Sequence, residues 1–171
     1  MNEELIKMIE SGIELEKQGL RRYLELARKS TVAEGKNLFI MLASDEVDHM
    51  ELLENLKANV LKGSYTAPKL EVYNVKELLP KLEKGHMEVK GEKQLTELDA
   101  LKLALEFEKR ASEFYEKLAD ATNDPETKKF AMDLARWEES HYDLLQAQLD
   151  ELKNTGFYFN MMEFDLAHLR G

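Results

Sequence analysis

Two places along the chain repeat a pairing that can hold a metal ion: Glu46 with His49, and Glu138 with His141, each a carboxylate and an imidazole three residues apart. On a helix that spacing puts both groups one turn apart on the same face, within reach of one ion. A lone Glu-x-x-His is ordinarily a solvated pair. Here both copies sit among apolar residues, the first with Phe39, Leu42 and Leu53 and the second with Phe130, Leu134 and Leu145. Each also has a companion carboxylate in mid-stripe. Glu16 lies among Ile9, Ile13, Leu20, Tyr23 and Ala27, and Glu108 among Leu101, Leu105, Ser112, Tyr115 and Ala119. Four carboxylates turned into an apolar interior would cost several kcal/mol each, or take up protons, unless cations balance them. Two divalent ions meet that need. Glu16 and Glu108 are then expected as terminal ligands, Glu46 and Glu138 as bridges, and His49 and His141 as one ligand to each ion. Oxygen and imidazole without sulfur suit iron or manganese, with zinc a poorer match.

The elements that must position these residues are helices. Apolar residues recur at helical spacing over about 3–29, 32–62, 97–121 and 125–153, and no strand-like alternation competes. Thr31 with Glu34, and Thr96 with Asp99, read as helix starts, as does Asp124 before Pro125; Gly156 reads as a stop. When residues 13–53 are laid on 105–145 at an offset of 92, 14 of 41 positions are identical, among them Glu16/Glu108, Tyr23/Tyr115, Glu46/Glu138 and His49/His141. The chain is therefore a duplicated helical hairpin. One hairpin cannot bury its own stripe, so the two copies are expected to pack as a four-helix bundle. Glu16 lies 13 residues before Lys29 and Glu46 lies 13 after Ala33, so at about 1.5 Å per residue both stand at one depth below the turn. Glu108 and Glu138 give the same count. Residues 63–95, with Pro68, Pro80 and three glycines, read as one long crossover with a short helix near Asn74–Leu82; residues 154–171 read as a tail.

The 171 residues, 43% of them hydrophobic, suffice for one domain with a sizeable core. There is no cysteine, which excludes disulfides, thiolate-held clusters and cysteine nucleophiles. A net charge of −10 argues against a nucleic-acid partner, since affinity for phosphate needs clustered Lys and Arg. The acidic N-terminus does not read as a signal peptide and no apolar run is long enough to span a membrane, so a cytoplasmic protein is expected. Tyr23 and Tyr115, seven residues past Glu16 and Glu108, read either as core aromatics or as donors to a ligand carboxylate. Trp137 reads as packing, with electron transfer the other option. Glu14, Glu106, His86 and His168 read as surface residues. The tail carries Phe157, Tyr158, Phe159, Met161, Met162, Phe164 and Leu166, a patch that needs covering. It can fold back on its own bundle or cross to a second subunit, and a homodimer is the expectation.

These residues resemble the rubrerythrin-type branch of the ferritin-like di-iron carboxylate proteins over about residues 5–153. The likeness is carried by Glu16-x-x-Gly19-x-x-x-Tyr23-x-x-Leu26-Ala27, Leu42-Ala43-x-x-Glu46-x-x-His49, Glu108-x-x-Ala111-x-x-x-Tyr115-x-x-Leu118-Ala119 and Leu134-Ala135-x-x-Glu138-x-x-His141. The resemblance implies an all-α ferritin-like bundle holding two iron ions that react with hydrogen peroxide or dioxygen, with chemistry carried through Glu16, Glu46, Glu108 and Glu138. Two departures stand out. Rubrerythrins proper carry a rubredoxin module with four iron-binding cysteines, so here electrons are expected from a separate donor such as a rubredoxin. They also carry a further Glu one turn past the terminal ligand of the third helix, where this chain has Ala111. The leading expectation is an oxidoreductase; the alternatives are iron oxidation and storage as in ferritin, or a structural or regulatory bundle stapled by metal.

Overall fold

Four helices close their apolar stripes on one another in the computed structural model, which describes residues 3–62, 96–123 and 125–158. They are α1 (Glu3–Lys29), α2 (Ala33–Leu61), α3 (Glu97–Asp120) and α4 (Pro125–Thr155). The expected stripes are the ones that pack. Ile9, Ile13, Leu42, Leu53, Leu101, Leu105, Leu134 and Leu145 are all buried, while Glu14 and Glu106 are exposed. α1 pairs with α2, and α3 with α4, as two hairpins; α1 also crosses α3. The result is the ferritin-like four-helix bundle. No helix among the described residues is long and apolar enough to cross a membrane.

Helix ends follow local chemistry, with one correction to the sequence reading. Thr96 caps α3 as expected: its backbone is extended and its side-chain oxygen accepts the Asp99 N–H at 3.2 Å. Thr31 does not cap α2. Val32 takes that place with no side-chain cap, because Thr31 is engaged elsewhere: its N–H and hydroxyl both donate to Glu97 Oε1, at 2.6 and 3.0 Å. Pro125 opens α4. That helix runs two residues past the expected Lys153 and stops where Gly156 turns left-handed at φ 80°, a conformation glycine adopts at no steric cost.

Glu97 gathers one pole of the bundle. Besides Thr31, it accepts from the Ser30 hydroxyl at 2.9 Å and from the Tyr158 hydroxyl at 2.9 Å. The α1–α2 turn, the start of α3 and the chain just past α4 therefore meet at one carboxylate. Gly35 leaves the room for it, since a Cβ there would stand 2.6 Å from Ser30 Oγ and 2.8 Å from Glu97 Oε2. These donors outweigh partial burial and hold the Glu97 carboxyl below its ordinary range. The meeting fixes the topology: α3 starts beside the start of α2 and runs parallel to it, so α2 ends at the pole opposite the one where α3 begins. The crossover over 63–95, its expected helix near Asn74–Leu82, His86, His168 and the tail from 159 onward lie outside the described residues.

Glu97→Ala removes a charged acceptor from several donors at once and is expected to lower the unfolding free energy by about 2 kcal/mol. Denaturant melts of the chelator-treated protein measure it; an unchanged midpoint would mean that the pole holds without this carboxylate.

Candidate metal centre

The six residues singled out by spacing meet midway along the bundle. α1 supplies Glu16, α2 Glu46 and His49, α3 Glu108, α4 Glu138 and His141, and all six are buried. Their ligand atoms form two groups, Glu16–Glu46–His49–Glu138 and Glu46–Glu108–Glu138–His141, each with one atom per residue within 4.8 Å of the others. Glu46 and Glu138 belong to both. Both histidines turn Nδ1 to the carboxylates: that of His49 is 3.3 Å from Glu16 Oε2 and 3.1 Å from Glu138 Oε1, and that of His141 is 3.6 Å from Glu108 Oε1 and from Glu138 Oε2. Their rings stack at 5.6 Å.

Hydrogen bonds do not satisfy this cluster. Both oxygens of Glu46 and of Glu138, Glu108 Oε2 and His141 Nδ1 are buried with no hydrogen-bond partner among the described residues. The approach of His49 to Glu138 is a charge contact without hydrogen-bond alignment. Burial, reinforced by the neighbouring Glu16, pushes the Glu46 carboxyl well above its ordinary range. Burial and then Glu138 do the same to Glu108. For Glu138, burial is outweighed by His141 and His49, which hold it below the usual carboxylate range. Burial would lower both histidines, but Glu138 and Glu16 raise His49 to about 9, and Glu108 and Asp45 raise His141 well above its ordinary value. Protons and divalent cations therefore compete for the same atoms. Orphaned oxygens, imidazole nitrogens, no sulfur and two overlapping groups of four fit a pair of divalent cations.

The two tyrosines resolve in favour of the donor reading, across the bundle. The Tyr23 hydroxyl donates to Glu108 Oε1 and the Tyr115 hydroxyl to Glu16 Oε1. Each therefore braces the carboxylate of the other hairpin. Burial and Glu16 push the Tyr115 phenol well above its ordinary value, so it stays a donor. Trp137 packs as expected, stacking on His49 at 4.9 Å while remaining partly exposed.

Two further residues serve the site without having been picked out by spacing. Asp45 places Oδ2 3.3 Å from His141 Nε2, on the outer edge of that ring; only its place just before Glu46 hinted at it. Gly19 lies against Glu46, where an added Cβ would stand 2.8 Å from the carboxylate carbon and 2.8 Å from Phe107. A glycine in mid-helix, which costs about 1 kcal/mol relative to alanine, was the available signal.

The family model described as Rubrerythrin matches residues 7–149. Among solved structures, a hypothetical protein from Pyrococcus furiosus is 25% identical, covering 90% of this chain and 93% of that one, with a TM-score of 0.63. An uncharacterized conserved protein from Magnetospirillum magnetotacticum is 22% identical, covering 84% of this chain and 92% of that one, with a TM-score of 0.65; that likeness is one of fold. No curated protein matches.

Two outcomes test the geometry. Gly19→Ala, which in an ordinary helix stabilises by about 1 kcal/mol, is expected here to displace Glu46 and weaken divalent-cation binding by about tenfold or more, read by chelator competition. Cation binding is also expected to release protons and to weaken as pH falls, because below about 9 His49 must first lose its proton. Calorimetry in buffers of different ionisation enthalpy measures the release; an affinity flat across neutral pH contradicts it.

Proposed function

The chain belongs to the rubrerythrin family, and on that premise we propose that it is a di-iron oxidoreductase that reduces hydrogen peroxide, or dioxygen, with electrons from a separate donor protein. The observation that carries this reading is the sharing of Glu46 and Glu138 between two buried four-ligand groups. Shared carboxylates are what a pair of adjacent ions requires and what a single structural ion does not. In this reading Glu46 and Glu138 bridge, Glu16 and His49 complete one position, and Glu108 and His141 complete the other.

An iron pair held by these six residues would supply the two electrons that, with two protons, reduce hydrogen peroxide to two waters. The chain's own residues do the rest. The Tyr115 and Tyr23 hydroxyls donate to Oε1 of Glu16 and of Glu108 and fix those side chains, which would leave the second oxygen of each to hold a cation. Stripe residues such as Leu42 and Leu134 keep bulk water from the carboxylates. Ala111, buried on α3 one turn past Glu108, offers no further carboxylate, so among the described residues the two groups draw on these six. A rubredoxin-type protein is the proposed source of electrons. The homodimer also belongs to this proposal: Phe157 is 75% exposed, and the sequence beyond it includes Phe159, Met161, Met162, Phe164 and Leu166. Deleting 159–171 is expected to halve the mass measured by light scattering.

Anaerobic loading is expected to place about two Fe²⁺ in each chain, and Glu46→Ala or Glu138→Ala to lose both; a variant that keeps two tightly bound ions refutes the bridging roles. In stopped-flow mixing at equal oxidant concentration, the reduced protein is expected to react faster with peroxide than with dioxygen. A preference for dioxygen accompanied by mineral would move the protein to ferritin-like iron handling. Stability lost on chelation with neither reaction would leave a structural metal.

A further inference from the structure

The duplication is broken beside the two histidines. At the offset of 92, Asp45 corresponds to Trp137. Each directly precedes a shared carboxylate, and each touches the histidine of the other hairpin. Asp45 meets His141 through Oδ2 at 3.3 Å from Nε2. Trp137 meets His49 face to face, ring centroids 4.9 Å apart and planes within 5°. Among the described residues, Asp45 is the only carboxylate outside the six that pairs with either histidine.

These contacts act differently on the ring they touch. A carboxylate 3.3 Å from Nε2 favours the tautomer that carries its proton there, which leaves the Nδ1 lone pair turned inward and makes that nitrogen a stronger donor to a cation. Asp45 also adds a negative charge close to that half of the site, with its side chain only 22% exposed, so solvent screens it incompletely. Stacking by an indole holds the plane of His49 but takes no proton and adds no charge. Two positions that the duplication would make equal are thereby made unequal.

We infer that the position built from Glu46, Glu108, Glu138 and His141 is the tight one, filled first, and that the position built from Glu16, Glu46, Glu138 and His49 is the weaker, exchangeable one, with Asp45 as the positioning residue that sets the difference. This rests on the two-cation reading above. Co²⁺ titrated into the full-length, chelator-stripped protein tests it, with ligand-field absorption and calorimetry resolving the steps. The wild type is expected to bind two Co²⁺ in separate steps. Asp45→Asn should weaken the first step by about 10–100-fold and narrow the gap. Trp137→Asp, which gives His49 the same kind of partner, should narrow it from the other side by tightening the second step. Circular dichroism establishes that each variant is folded, and if one fails to fold the other decides. Two equal steps in the wild type, or an Asp45→Asn protein in which neither step or both steps weaken alike, overturn the inference and leave the two-cation reading standing. Binding of fewer than two Co²⁺ by the wild type overturns that reading itself.

Discussion

Four carboxylates at one depth inside an apolar bundle are the constraint around which the rest of this structure is arranged. Each would cost several kcal/mol to bury as an unpartnered anion, and hydrogen bonds relieve only some of them, since Glu46 and Glu138 receive none. Positive charge has to come from the histidines, from protons or from cations. The helices around the cluster are correspondingly regular and well packed, with Tyr23 between Phe39 and Phe107. A rigid apolar frame keeps the carboxylates close together where a looser one would let them separate into water.

The two hairpins brace each other reciprocally. Tyr23 reaches Glu108 and Tyr115 reaches Glu16, which follows from the antiparallel crossing of α1 and α3. The long side chain of a tyrosine two turns past a glutamate on one helix can then reach back to the glutamate of the other. One local motif, written twice, thus makes two braces that neither copy could make alone, and they tie the hairpins together at the level where charge is concentrated.

Much of this was legible from residues alone, for identifiable reasons. The helices and inward faces follow from periodicity, and the convergence of Glu16, Glu46, Glu108 and Glu138 follows from counting residues to each turn, because an α-helix has a fixed rise. What stayed hidden depends on contacts distant in sequence. Thr31 looks like a cap until Glu97, 66 residues away, competes for it. Asp45 looks like one more helical acid until His141 is placed beside it. Gly19 carries a helix penalty whose purpose appears only when Glu46 occupies the space a side chain would fill. Whether a tyrosine serves its own helix or another is likewise a question of crossing geometry, which spacing along one helix does not contain.

The division of ligands between hairpins bears on how the protein assembles. Each four-residue group draws three members from one hairpin and a single carboxylate from the other, Glu138 in the first and Glu46 in the second. Contacts within a hairpin are local and form quickly, whereas those between hairpins must await closure of a long loop. The first hairpin, leaving the ribosome ahead of the second, already carries three of the four residues of one group. Completing either group requires one residue from the other half, so neither group closes before the hairpins dock.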